Sequence, residues 1–476
     1  MSVPEPSRLG VALAALGAAG VGAALIPGNR PGLGVAVTAV AVTGVVALAL
    51  RQPTGERIVY LALGTSLALP SALLSAAWVV APGLIGAVAL LALAATGGTD
   101  WERIRGALPR VVGRLASSPP FLLTSVVPAL PPARRWRAVA RGGLLALGGV
   151  VLFGGLFVSA DRAFAQITRD VLVGWDLPLL GARLVTLGGL AALAGALVLA
   201  TPAFAALTPE PVSLRARLGI HERERPLGFR PAEWTVPLVA LNLLFGLFVA
   251  VQLTVLFGGH DHVLRTTGLT YSEYARRGFS QLVAVAALTL GVIAGSARWA
   301  ARETPAHDRL LKALLGLLCG FTLVVLASAM RRLGLYEEAF GFTRARLAVD
   351  LAILWLGGVF ALIIAAGLTG RLRWLPVAVV IMTSASALSF ALSNPDGRIA
   401  ARGVERYEST GNIDLVYLST LSADAVPALL RLPEPLRSCA LASVGDRVEG
   451  GDGLGSWNLS RSHAGSLLDA RTLRGC

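Results

Sequence analysis

Long apolar runs broken by short polar connections dominate the first 393 residues. The runs are rich in Ala, Leu, Val and Gly. At 1.5 Å per residue, about 18 or more of them cross the hydrocarbon layer of a bilayer as a helix. The pattern predicts eleven spans, at 9–27, 32–50, 58–76, 79–96, 142–160, 178–203, 235–257, 278–296, 311–330, 346–369 and 375–393. Residues 58–96 carry no charged side chain. As one helix they would measure about 58 Å, nearly twice the hydrocarbon thickness. The run is therefore expected to fold back, with Pro70, Trp78 and Pro82 marking the turn.

The pattern changes after residue 393. The tail 394–476 is polar and helix-forming at first, then Gly-rich (GDRVEGGDGLGS), and closes on SWNLSRSHAGSLLDA. A segment of this size can form a few packed helices but no large separate core. The expected fold is an all-α polytopic transmembrane helix bundle with a small helical extramembrane tail. It divides into a four-span N-terminal segment (1–96), a basic connection (97–141), a seven-span core (142–393) and the tail (394–476).

Composition agrees. The chain is 55% hydrophobic and only 15% charged, against about 25% charged in globular proteins. A net charge of +14 need not mean a nucleic-acid partner, because cytoplasmic loops of membrane proteins concentrate Arg and Lys. With the N-terminus inside, the inner connections hold 22 basic residues, the outer loops 11 and the tail 9. That bias predicts a cytoplasmic N-terminus and an extracytoplasmic C-terminus. The arginines of 97–141 are expected against the anionic inner leaflet, so the bilayer is the first partner.

Candidate chemistry is sparse. In the polar stretch 259–279, Thr270-Tyr-Ser-Glu273 reads as a capping box opening the eighth span. Tyr271, Tyr274 and Gln281 then share one face of that helix. His260-Asp261-His262 offers two imidazoles and a carboxylate, with Glu337 and Glu338 as further ligand candidates. So short a pattern is better read as a solvated loop, and no metal site is assigned. Asp350 lies about 10 Å into the tenth span, where a carboxylate is costly and marks a functional suspect. Arg346, one turn earlier, is its expected ion-pair partner, and Arg331 and Arg332 are alternatives. Asp350, Arg346, Asp261, Tyr271, Tyr274 and Gln281 form the candidate polar cavity.

Other polar positions in the spans have ordinary readings. Asn242, Gln252 and Gln281 suit hydrogen bonds between helices, and Gly316-Leu-Leu-Cys-Gly320 suits close helix packing. Gly268-Leu-Thr270 and Gly341-Phe-Thr343 echo each other and suggest a repeat of helical hairpins. Cys439 and Cys476 would pair only in an oxidising compartment. The chain has no P-loop, GxSxG, HExxH or CxxC motif. No catalytic residue and no cofactor is expected.

YSEYARRGF before an apolar span, the tail sequence NPDGRIAARGVERYESTGNIDLVYLSTLSADAVPALL and the terminal SWNLSR carry a resemblance. Asn394-Pro395, Arg406-Tyr407, Gly411, Asp414, Tyr417-Leu418, Ser422-Ala423-Asp424-Ala425 and Pro427 fall on its recurring positions. Over roughly 140–476 the chain resembles bacterial membrane proteins grouped as domain of unknown function 4173, a group related to 4153. The resemblance implies a multi-span protein of the bacterial inner membrane and implies no reaction. Two functional readings follow. One is a transporter-like or channel-like bundle handling a small solute or ion. The other is a non-catalytic sensor or scaffold that engages an envelope protein through its tail.

Overall fold

The computed structural model describes residues 7–50, 52–126, 177–207, 229–257, 279–448 and 452–469. Among them the fold is all-α, with no strand. The apolar helices are α1 (Arg8–Leu25), α2 (Leu33–Ala49), α3 (Gly55–Ala68), the short α4 (Pro70–Leu73) and α5 (Ala77–Thr96). An amphipathic α6 (Trp101–Arg114) and α7 (Ser118–Val126) follow. Next come α8 (Leu177–Ala200), α9 (Pro231–Phe257), α10 (Phe279–Trp299), α11 (Pro305–Phe340), α12 (Arg344–Thr369) and α13 (Leu375–Leu392). Eight of the described helices are long and apolar enough to cross a membrane, with Leu33–Ala49 a shorter apolar helix. Ten of the eleven expected apolar runs overlap these helices, but the third, 58–76, is divided between α3 and α4 and is not among the eight. The remaining one, 142–160, lies outside the described residues, as does the Thr270 capping box.

Local chemistry explains the boundaries. Ser7, Asp100, Thr304 and Thr343 cap α1, α6, α11 and α12 by accepting a backbone N–H three residues on. The uncharged run 58–96 does fold back. Pro70 opens α4, Leu74 and Ala76 are extended, and α5 restarts at Ala77. Pro82 corrects the expectation, since it lies inside α5 and not at the turn. It forfeits one backbone bond in the second turn, which membrane helices tolerate. The ninth span also differs from the pattern. α11 continues to Phe340, about 54 Å in all. Its last turns therefore project past the apolar run, and Arg331 and Arg332 belong to the helix.

The helices pack in two groups. α1, α2, α3, α5, α6, α7 and α8 share one core, built around Ala12, Ala15, Val46, Tyr60, Leu197 and Leu199. α9 to α12 share another, built around Leu318, Cys319, Ala329, Leu333 and Phe360. α13 leans on the first group through Val377, Val380 and Leu388. Asn242 of α9 donates to the Leu314 carbonyl of α11 at 3.2 Å. Ser328 and Arg332 of α11 donate to Gln252 Oε1 at 2.9 and 3.3 Å. These are the interhelical hydrogen bonds expected of such residues. Gly316 and Gly320 are a correction. A Cβ at either would meet nothing within 4 Å among the described residues. α11 makes its contacts through the row containing Cys319, Thr322 and Val325, all buried, and Cys319 is a free, buried thiol.

The tail folds into α14 (Pro395–Thr410), α15 (Leu415–Ser419), α16 (Val426–Leu429), α17 (Leu436–Val448) and α18 (Leu459–Asp469). Its own core includes Ile399, Val404, Leu421, Leu429 and Leu441, together with Leu347 from α12. Cys439 is disulfide-bonded.

Candidate functional site

The tail docks on one end of the bundle, and the polar residues of its first motif make the joint. Asn394 adopts a left-handed conformation (φ 49°) and accepts from the Gly397 N–H. With Pro395 at the first helical position, this aims α14 off the end of α13. Asp396 follows at once and is fully buried. Its Oδ1 accepts from Trp78 Nε1 at 2.9 Å and from Arg344 Nε at 2.9 Å. Its Oδ2 accepts from Arg344 Nη2 at 2.5 Å and from the Ser422 N–H at 2.9 Å. Trp78 opens α5 in the first helix group, whereas Arg344 opens α12 in the second. One carboxylate therefore ties the tail to both groups.

Neighbouring contacts close the joint. The Arg344 backbone N–H donates to the Tyr417 hydroxyl at 2.7 Å. Phe390 of α13 meets the Trp78 ring edge-on, with centroids 5.7 Å apart, a favoured aromatic geometry. Asp424 Oδ2 accepts from the Ser75 N–H and hydroxyl, each at 3.0 Å, and from the Ser422 hydroxyl at 2.5 Å. Burial by itself would raise the Asp396 carboxyl. The Arg344 fork and the Ser422 N–H outweigh it and hold the group below the ordinary carboxylate range.

A second joint lies further along the tail. The N–H groups of Leu33 and Gly34 donate to the carbonyls of Trp457 and Gly455 at 2.8 and 2.9 Å. Arg461 donates to Pro31 O and pairs with Asp452 at 3.0 Å. Asn458 is fully buried. Its amide donates to Ser71 O at 3.0 Å and Leu74 O at 2.9 Å, and its Oδ1 accepts from the Arg461 N–H at 3.1 Å. Asn458→Ala takes the amide donor from the buried Ser71 carbonyl and the half-buried Leu74 carbonyl, so it should lower stability by about 1–3 kcal/mol. Thermal unfolding in detergent checks this. Asn458→Asp, which keeps only the acceptor, should behave nearly as badly.

Of the expected cavity residues, Asp261, Tyr271 and Tyr274 lie outside the described residues, together with His260 and His262. Gln281 stands exposed in the first turn of α10. Arg346 and Asp350 both lie on α12 but do not form the expected ion pair. Arg346 turns back instead. It donates to Gly341 O, and its guanidinium covers the Tyr336 ring at 4.2 Å. The unmet C-terminal carbonyls of α11 and an aromatic face compete successfully for it. Asp350 and the Glu337 carboxyl of α11 act on each other electrostatically. Glu337 is 6% exposed, and its Oε1 is buried without a donor among the described residues. Among the described residues, no group of three or more His, Cys, Asp or Glu could hold a metal ion.

Sequence reasoning missed Asp396, Arg344 and Ser75 as a unit, and it marked Trp78 only as a turn. The available signal was a carboxylate placed directly after Asn-Pro where an apolar span ends. A cavity of about 220 Å³ opens between α12 and α13, beside Ala348, Leu351, Trp355, Thr383 and Ser386. It is smaller than typical small-molecule pockets, which run from about 300 Å³ upward.

The family described as Domain of unknown function (DUF4153) matches residues 8–432. The chain belongs to this family. The DUF4153 match reaches α1, well before the starting point of the resemblance at about residue 140, so both helix groups are family property. It also takes in the whole Trp78–Arg344–Asp396–Asp424 joint. The tail side of the second joint, Asp452 to Arg461, lies beyond the matched residues. No curated protein and no solved structure matches the chain.

Proposed function

We propose that this DUF4153 protein is a transporter-like membrane bundle of the bacterial inner membrane whose tail clasps its extracytoplasmic end. The observation that carries this reading is the Asp396 joint, where one tail carboxylate bridges the two helix groups. The recurring tail residues serve the clasp or its fold. Asn394 and Asp414 cap helices, Gly411 ends α14 with φ 72°, and Tyr417 and Asp424 bind the bundle. Residues spent on the bundle in this way leave less support for a tail that presents itself to an envelope partner.

Orientation in this reading rests on two supports. Arg103, Arg105, Arg110, Arg302, Arg371 and Arg373 gather at connections away from the tail, which favours a cytoplasmic face there. The disulfide at Cys439 favours an oxidising compartment for the tail.

Flux from reconstituted vesicles tests the reading, with a panel of protons, sodium, potassium, phosphate and amino acids. At least one solute should cross faster than through empty vesicles, and Asp350→Asn should slow it. If correctly inserted protein moves nothing on the panel above background, the transporter-like reading fails. A truncation lacking 394–476 that inserts and transports normally would remove the clasp from it.

A further inference from the structure

We propose that α6 is an in-plane membrane-surface helix that docks on anionic phospholipid in the leaflet opposite the tail. α5 starts beside the Asp396 joint with Trp78, so it ends at the other end of the bundle, and α6 follows it there. Asp100 caps α6 by accepting from the Arg103 N–H at 2.9 Å. At the far end Arg114 is only 7% exposed and donates to Ala205 O, just past α8, at 3.1 Å. α6 therefore runs across the bundle, from the end of α5 to the end of α8. Its 14 residues cover about 21 Å.

The faces of α6 are unequal. Ala107 and Val111 are buried in the first helix core, and Ile104 packs beside them. Trp101, Leu108 and Val112 remain 45%, 43% and 55% exposed. At about 100° per residue these three fall within about 40° of one another, as an apolar stripe along one flank. Arg105 borders the stripe, its Nε held to Trp101 O at 3.2 Å. Arg103 and Arg110 stand on the other flank. With Arg114, four arginines face Asp100 and Glu102, so the helix is cationic. A Trp-bearing apolar stripe bordered by arginine, on a helix laid across the ends of membrane spans, suits the boundary between headgroups and acyl chains. There the stripe enters the acyl region, and the guanidinium groups reach the phosphates. The surplus of positive charge selects anionic lipid over zwitterionic lipid.

Quenching of tryptophan emission by brominated lipid tests this on the full chain. The Trp101 contribution is the difference between wild type and Trp101→Phe. The vesicles are phosphatidylcholine with a minor fraction of brominated phosphatidylglycerol, or with the same fraction of brominated phosphatidylcholine. The anionic quencher should reduce the Trp101 emission at least about twofold more than the zwitterionic one. That excess should vanish in the combined variant Arg103→Gln, Arg105→Gln, Arg110→Gln. It should also vanish in wild type at about 1 M salt, where the screening length falls to about 3 Å. Equal quenching by the two lipids would overturn the proposal. Quenching by neither would show that protein covers the stripe, and would overturn it too. So would an excess that survives both the combined variant and high salt. Should the combined variant not fold, the salt titration of the wild type decides. The measurement involves no flux, so it stands apart from the transporter-like reading.

Discussion

Asp396→Ala is expected to lower the unfolding free energy by about 3 kcal/mol and to free the tail from both helix groups. Removing one partner of a buried ion pair typically costs about 3–5 kcal/mol, mostly because the other charge is left unpaired. The lower end applies here, since Arg344 keeps 31% of its side-chain surface in contact with solvent. The same substitution strips the acceptor from Trp78 Nε1 and from the Ser422 N–H. Thermal unfolding in detergent and protease access to the 393–395 junction should both report the loss. A variant with the wild-type midpoint and an intact junction would show that the carboxylate is not what holds the tail.

Asp396 also sets a pH dependence. Its carboxyl is held below its ordinary value near 3.8. The folded state therefore favours the ionised form, and the joint contributes fully at pH values above that ordinary value. The contribution is lost as the pH falls through the lower, folded value. The difference in unfolding midpoint between wild type and Asp396→Asn should thus be steady from about pH 5 upward and shrink below about pH 4. A difference that grew on acidification would contradict this assignment.

Gly455→Ala should detach the second joint. A Cβ at Gly455 would lie 2.2 Å from the Leu25 carbonyl oxygen and 2.8 Å from Asn29 Nδ2. The first of these is backbone at the end of α1 and cannot turn aside. Gly32 shows the reverse face of the same approach, its Cβ position falling 2.5 Å from the carbonyl oxygens of Ser456 and Trp457. Overpacking of this kind costs about 1–3 kcal/mol. It should break the bonds from Leu33 and Gly34 to Trp457 and Gly455. Limited proteolysis in 452–458 and the emission of Trp457 provide the measurement. Gly453→Ala is the control, because its nearest contact would be an ordinary 3.7 Å to Asn29 Oδ1. Equal behaviour of the two variants would rule out the steric account.

Much of the fold was legible because a bilayer imposes a length on apolar runs, and few sequences satisfy it by accident. The cap at Thr343 was legible for a similar reason. A hydroxyl just before a helical run acts within three residues, so sequence distance and spatial distance agree. Arg346 shows where local reasoning fails. One turn from Asp350, it was the natural partner, yet it covers Tyr336 and binds Gly341 O. The group that acts on Asp350 electrostatically is Glu337, on the neighbouring helix. No i, i+4 rule reaches across a turn to another helix.

The amino-acid sequence by itself determined that this chain is a helical membrane bundle, where most of its apolar helices run, and that a polar tail follows them. Those properties depend on hydrophobicity and capping, which act over a few residues at a time. Only the tertiary structure decided that Asp396 would bind Trp78 and Arg344, 318 and 52 residues away. It alone gave the tail two joints on the bundle. A buried charge takes whichever partner packing brings within about 3 Å, and packing depends on every helix at once.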